Sequence, residues 1–178
     1  MAVFADDELK YDYFENFDNK ILQDLGSDYV MSEGKGTITL DDMSEVNERI
    51  DNPGDNDNKA LHLYYEDNGA LYQQTPVLEI KMPETYKKGK LRVGMRVMFE
   101  TMTQTCLSLR GNGQTLCNAY ITSNSNRLSL NSSIQTDTIL SAFHYTDVEW
   151  EVDLDNKKMD VYVDGSLAYE SLSYHMAA

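Results

Sequence analysis

Between Val148 and Gly165 the chain reads VEWEVDLDNKKMDVYVDG, and Glu151-Val-Asp153-Leu-Asp155 sets three carboxylates at alternate positions. In an extended segment alternate side chains share a face. Carboxylates so placed can divide general-acid and nucleophilic work between them. The same spacing also makes the wet side of an ordinary hairpin, and the neighbouring residues favour that reading. Val148, Trp150, Val152 and Leu154 fall on the side opposite Glu149, Glu151, Asp153 and Asp155. Asp155-Asn-Lys-Lys158 is a polar turn. Met159, Val161 and Val163 then form the apolar side of a return strand, opposed by Asp160, Tyr162 and Asp164. Asp164-Gly165 marks a second tight turn, because glycine tolerates positive φ there. The stretch reads as a meander with one dry face, its carboxylates solvated and not catalytic.

Other chemistry-bearing residues are scattered. His62, His144 and His175 have no metal-ligand spacing and form no readable triad. Gly111-Asn-Gly113 is a hairpin turn and not a phosphate cradle, since no helix follows it. Cys106 and Cys117 flank that turn. With Gly111-Asn112 as the loop, the two cysteines lie opposite each other and a cross-strand disulfide is geometrically allowed. With Asn112-Gly113 as the loop, the pair is lost and two semi-buried thiols remain. The loop from Asp51 to Asn58 carries Asp51, Asp55 and Asp57, oxygen ligands of the kind a structural calcium takes, but without the register of an EF-hand. Its composition fits a solvated turn better. The 12 tyrosines include Tyr65, Tyr72, Tyr120, Tyr145 and Tyr162, each able to stack on a sugar ring while its hydroxyl bonds to ligand or water. Most are expected to be half-buried sheet residues, as tyrosine favours strands.

These residues need elements to hold them. The chain has 178 residues, 41% hydrophobic and 25% charged, enough for one globular domain with a real core. A tail or signal remnant over residues 1–10 and a single domain over 11–178 are expected. The formal net charge is −15, a field that repels phosphate backbones and anionic lipid. Nucleic acid is therefore excluded as a partner, and no apolar run is long enough for a membrane span. Met1-Ala-Val-Phe-Ala5, followed by Asp6-Asp7-Glu8, has the small-x-small end of a secretory signal and points to export. Strand patterns recur at Tyr11–Phe17, Gly36–Leu40, Ala60–Tyr65, Pro76–Lys81, Leu91–Phe99, the cysteine hairpin, Arg127–Leu130, Val148–Leu154, Met159–Val163 and Leu167–Leu172. Leu91, Val93, Met95, Val97 and Phe99 share one face. Only Met43–Ile50 suggests a short helix. Such spacing predicts an antiparallel two-sheet sandwich.

A Trp-containing strand, a polar turn and then Val161-Tyr-Val-Asp-Gly165 resembles the late meander of the concanavalin A-like jelly rolls, the laminin-G and glucanase superfamily. Phe14-Glu-Asn-Phe-Asp18 is similar to the first strand of many secreted bacterial members. Asp55-Asn-Asp-Asn-Lys-Ala-Leu-His-Leu63 is similar to their entry into a core strand, with Asp57 where glycine is common. The resemblance implies an extracellular, non-catalytic carbohydrate-binding or adhesion module, lectin-like, with a polysaccharide or glycan as partner. Tyr120, Tyr65 and Tyr162 would stack, and Arg110, Asn118, Arg96 and Gln114 would donate and accept hydrogen bonds. It also implies a structural calcium held through Glu15 or Asp18. The closing strand of relatives is not found before Ala178, so the resemblance leaves two expectations open: a trimmed fragment, or one domain of a longer secreted protein that can include an attached catalytic domain. Some glucanases of the superfamily carry Glu-x-Asp-x-Glu on one strand, with carboxylates about 5–5.5 Å apart for a retaining mechanism. Glu151-Val-Asp-Leu-Asp155 differs in its last acid. A glycan-degrading enzyme and a structural or protein-interaction domain stand as the competing functions.

Overall fold

Alternation of apolar and polar residues becomes strand wherever the chain is described. The computed structural model describes residues 25–32, 37–42, 59–64, 76–82, 85–99, 105–121 and 126–174. Every regular element among them is a strand: β1 (Tyr29–Ser32), β2 (Thr37–Asp42), β3 (Lys59–Tyr64), β4 (Val77–Ile80), β5 (Lys90–Met98), β6 (Thr105–Gly111), β7 (Gln114–Ile121), β8 (Arg127–Leu130), β9 (Ile134–Ile139), β10 (Tyr145–Asp153), β11 (Lys158–Val163) and β12 (Ser166–Ser173). No helix among the described residues is long and apolar enough to cross a membrane. The strand expected at Tyr11–Phe17 and the helix expected at Met43–Ile50 lie outside the described residues.

The described residues up to Thr85 belong to one compact unit and those from Tyr86 onward to another. In the first unit, β1 pairs with β4 and β2 with β3, both antiparallel. In the second, two four-stranded antiparallel sheets run in the orders β12-β11-β10-β5 and β6-β7-β8-β9. Both sheets feed a single core. Val148, Trp150, Val152, Met159, Val161 and Val163 come from one side, and Cys117, Ala119, Ile121, Leu128 and Leu130 from the other. Trp150 is fully buried at its centre. The dry face read from the sequence is thus the inner face of a β-sandwich.

Two features depart from simple alternation. Met95 was expected inside, yet it is 36% exposed while Val93 and Val97 pack on the core. Among the described residues β5 is the end strand of its sheet, paired with β10 alone. Strand β9, Ile134-Gln-Thr-Asp-Thr-Ile139, carried no apolar alternation and was not anticipated. Its core-facing Thr136 is buried because its Oγ1 donates to the Leu128 carbonyl at 2.8 Å. A satisfied hydroxyl stands there in place of an apolar side chain.

Candidate functional site

The site grows out of one hairpin. Asn112 and Gly113, at φ +49° and +73°, form the two-residue loop between β6 and β7, the mirror-image turn that matches strand twist. Of the two loop registers open in the sequence, the structure takes Asn112-Gly113. Gly111 pairs with Gln114 and Arg110 with Thr115, but Leu109 pairs with Cys117, so Leu116 is the extra residue of a bulge. Leu116 folds against Gly111, where an added Cβ would sit 3.2 Å from its Cδ1. The shift places Cys106 opposite Tyr120 and Cys117 opposite Leu109. Cys106 faces outward and half-buried, Cys117 is inside, and both are free thiols. Burial pushes the Cys117 thiol up to about 11, with the neighbouring Trp150 indole pulling the other way. Among the described residues Trp150 Nε1 itself reaches no partner at hydrogen-bonding distance and angle.

The bulge also aims Asn118 and Tyr120 outward together, opposite Ser108 and Cys106. Their side chains form a hydrogen-bonded row. Cys106 Sγ and Ser108 Oγ are 3.4 Å apart, the Ser108 hydroxyl donates to Asn118 Oδ1 at 2.6 Å, and Asn118 Nδ2 donates to Tyr120 Oη at 2.9 Å. The row is directional, and it leaves the Tyr120 hydroxyl proton for an external acceptor. Ser129 lies beside Tyr120 on β8. Arg110 stands at the hairpin end of β6 and donates to the Gly113 carbonyl at 3.4 Å.

Next to this row is an open cleft of about 360 Å³, lined by Thr115, Leu116, Asn118, Asn131, Ser132, Ser173 and Tyr174. Asn118 belongs to both. Its backbone exchanges two bonds with Asn131: the Asn118 amide donates to Asn131 Oδ1, and the Asn131 amide donates to the Asn118 carbonyl, each at 2.9 Å. Asn131 and Ser132 hold left-handed φ values of +49° and +62° in the β8–β9 turn. On the far side, the Tyr174 hydroxyl donates to the Asp153 carbonyl at 3.0 Å, fixing the end of β12 against the β10–β11 turn.

The outer face of the other sheet is charged. Arg96 makes a two-pronged pair with Asp147, Nε to Oδ1 at 2.7 Å and Nη2 to Oδ2 at 2.8 Å. Arg92 Nε reaches Glu149 at 3.2 Å and Nη2 reaches Glu151 at 3.1 Å, while Lys90 Nζ meets Glu151 at 3.3 Å. The two glutamates respond in opposite directions. Burial raises the Glu149 carboxyl above its ordinary range despite Arg92, whereas hydrogen bonds from Arg92 and Lys90 lower Glu151. Glu149 is only 7% exposed, so this face is less wet than alternation alone suggests. Asp153 caps its own turn through the Asn156 amide, and Asp155 has left the strand to accept from the Gly89 amide at 3.2 Å.

Of the residues singled out in the sequence, Tyr120, Asn118 and Arg110 lie on β7 and β6, with Gln114 beside their turn. Arg96 and Tyr162 lie on the charged sheet, where Tyr162 stands opposite Glu149. They do not join Tyr120. Tyr145 is half-buried on β10. Tyr65 and Tyr72, and the metal candidates Glu15, Asp18, Asp51, Asp55 and Asp57, lie outside the described residues. Among the described residues no group of three or more His, Cys, Asp or Glu side chains could hold a metal. Ser108, Asn131 and Ser132 were not anticipated. The plain Asn112-Gly113 register would set Ser108 opposite Cys117, and only the Leu116 bulge brings it opposite Asn118; the turn residues depend on long-range packing. Comparison with family models, curated proteins and solved structures gives no match.

Proposed function

We propose that the unit from Tyr86 onward is a non-catalytic carbohydrate-recognition module, a concanavalin A-like jelly roll of an exported protein. The observation that carries this reading is the Ser108–Asn118–Tyr120 row beside an open cleft of neutral polar residues. A sugar offers an apolar ring face and a rim of hydroxyls. The Tyr120 ring packs on the first, and its hydroxyl, with Asn118 behind it, orients the second. Ordering the row in advance lowers the cost of binding. An open surface excludes little water, so affinity lies on the order of micromolar to millimolar. Retention on a panel of insoluble and gel-embedded neutral polysaccharides tests the reading. The folded protein is expected to be retarded by at least one of them, and Tyr120→Ala to lose that retardation. A folded wild-type protein that passes every gel unretarded overturns it and favours a protein-interaction role.

One observation favours an enzyme instead. Glu149 and Glu151 alternate on one strand face with opposite pKa shifts, the pattern of an acid and a nucleophile. Both carboxylates are nevertheless engaged by Arg92, and Glu151 by Lys90 as well. Reproducible release of reducing sugar that Glu151→Gln abolishes would establish the enzyme.

A further inference from the structure

We infer that the cleft beside Asn118 is an end subsite, taking the terminal unit of a neutral glycan chain, with the following units lying over Tyr120. This rests on the carbohydrate-recognition reading and specifies its ligand class. The cleft walls carry no formal charge, on a chain whose net charge is −15. A uronate or sulfated unit would find one cation nearby, Lys158 Nζ held on Ser173 Oγ at 2.7 Å, and would face the repulsion of the whole molecule. A neutral sugar does not meet that repulsion. Its apolar face meets only the exposed margins of Leu116 and Tyr174, which are 7% and 4% exposed.

Its hydroxyls have uncommitted partners. The Thr115 and Ser132 hydroxyls and Asn131 Nδ2 make no hydrogen bond among the described residues, whereas Asn131 Oδ1 is held by the Asn118 amide. Ser173 Oγ accepts from Lys158 Nζ at 2.7 Å and keeps its proton for a ligand. Three uncommitted groups and one half-committed group thus line the space, with the Lys158 ammonium behind Ser173.

Size argues for a chain end. About 360 Å³ lies near the lower limit of small-molecule sites, roughly 300–1,000 Å³. The β8–β9 turn stands on one side of it and the end of β12 on the other. The row from Asn118 to Tyr120 continues along β7 in the open, about 7 Å further on by strand geometry. One chain can therefore place its last ring in the cleft and the next over Tyr120, with Asn118 at the junction.

The test uses the full chain and neutral linear hexasaccharides of glucan, xylan and mannan type. Each is offered with free ends and with both ends blocked by bulky derivatisation, alongside polygalacturonate. Calorimetric titration is expected to give binding of a free-ended neutral hexasaccharide and roughly tenfold weaker binding of its blocked form, the loss of about one well-made subsite. Thr115→Trp, at an exposed strand position, should fill the cleft and produce a similar loss while the unfolding midpoint stays unchanged. Ser173→Tyr is the second blocking variant if Thr115→Trp is unstable. Equal binding of free and blocked ends, or unchanged binding in a folded cleft-filled variant that Tyr120→Ala abolishes, overturns the end subsite and leaves carbohydrate recognition standing. Preference for polygalacturonate overturns the neutral ligand. Absence of binding to every saccharide overturns the recognition reading itself, and the subsite with it.

Discussion

The two outer faces of the sandwich start from the same sequence rule and end with different chemistry. On the β10 sheet, Lys90, Arg92 and Arg96 of β5 lie against Asp147, Glu149 and Glu151 of β10, and the pairs consume one another. On the β7 sheet the outward residues are mostly neutral, and their hydrogen bonds run in one direction toward an open hydroxyl. A charged face on which Lys90, Arg92 and Arg96 already have their anions offers a ligand there only competition with existing bonds. A neutral face with uncommitted donors offers bonds at little cost. The difference teaches that recognition follows from what a face leaves unspent, and not from how many polar groups it carries.

Both faces rest on one core, so the largest expected effect strikes them together. Trp150 is fully buried between the sheets, opposite Val161 on one side and Val93 on the other. Trp150→Ala should lower stability by about 3–5 kcal/mol. Denaturant unfolding followed by circular dichroism measures it. An unchanged midpoint would mean that the β10 register is wrong and that the charged face is not where it has been placed.

The thiols separate inside from outside on the neutral sheet. Cys106 sits half-buried in the outer row, and Cys117 lies in the core with its thiol pushed up to about 11. Alkylation requires thiolate and access. Mass spectrometry of the native protein at pH 8 should therefore show one modified cysteine, Cys106, and a second only after denaturation. Equal labelling of both, or a disulfide between them, would restore the alternative hairpin register and move Ser108 away from Asn118, breaking the row.

On the charged face, Glu149 and Glu151 should respond to amide substitution with opposite signs. The folded Glu149 carboxyl is raised by burial. Its ionisation therefore removes stability as pH rises just above the ordinary carboxylate range. Glu149→Gln should relieve this at neutral pH, and the gain should vanish as the medium becomes acid enough to protonate the carboxyl. The folded Glu151 carboxyl is lowered by Arg92 and Lys90. Its contribution is present above the ordinary carboxylate range and is lost as pH falls through its folded value. Glu151→Gln should thus destabilise at neutral pH. Each effect is about 1 kcal/mol or less, because Arg92 and Lys90 are substantially exposed and screened. Unfolding midpoints between acid and neutral pH give both signs, and a shared sign would contradict the arrangement. Neither change should alter glycan retention.

How much of this was legible varies with the range of the interactions. The meander from Val148 to Gly165 could be read residue by residue, since strand period and an Asp-Gly turn are local signals. Tyr120, Asn118 and Arg110 were recognisable as candidates by type, and they do lie on neighbouring strands. Their grouping apart from Arg96 and Tyr162 was not legible, because it depends on which sheet each strand joins. Glu149 looked as solvated as Glu151. Only the pairing of β10 with β5 brings Arg92 over it and makes it a buried carboxylate. Strand β9 was hidden because Thr136 replaces an apolar core residue. The cleft was hidden for a similar reason, since its walls come from three segments distant in the chain.

The smallest expected effect bears on the rim of the neutral face, where two adjacent residues share an unusual backbone but not its justification. Asn131 and Ser132 both hold left-handed φ values. Asparagine tolerates that region, and Asn131 also satisfies the Asn118 amide through Oδ1. Ser132 makes no hydrogen bond among the described residues that would offset its strain. The left-handed region costs an ordinary residue roughly 1–2 kcal/mol. Glycine adopts it freely but loses about 0.5–1 kcal/mol more chain entropy on folding. Ser132→Gly should therefore raise stability by up to about 1 kcal/mol on balance. Asn131→Gly relieves little strain and deletes a hydrogen bond, so it should lower stability by about 0.5–1.5 kcal/mol. Paired unfolding curves check the opposite signs. If Ser132→Gly also weakens binding of a free-ended hexasaccharide while the protein grows more stable, the strain at this turn is tied to a hydroxyl that meets ligand. If binding is untouched, Ser132 only shapes the turn, and the subsite rests on Thr115, Asn131 and Ser173.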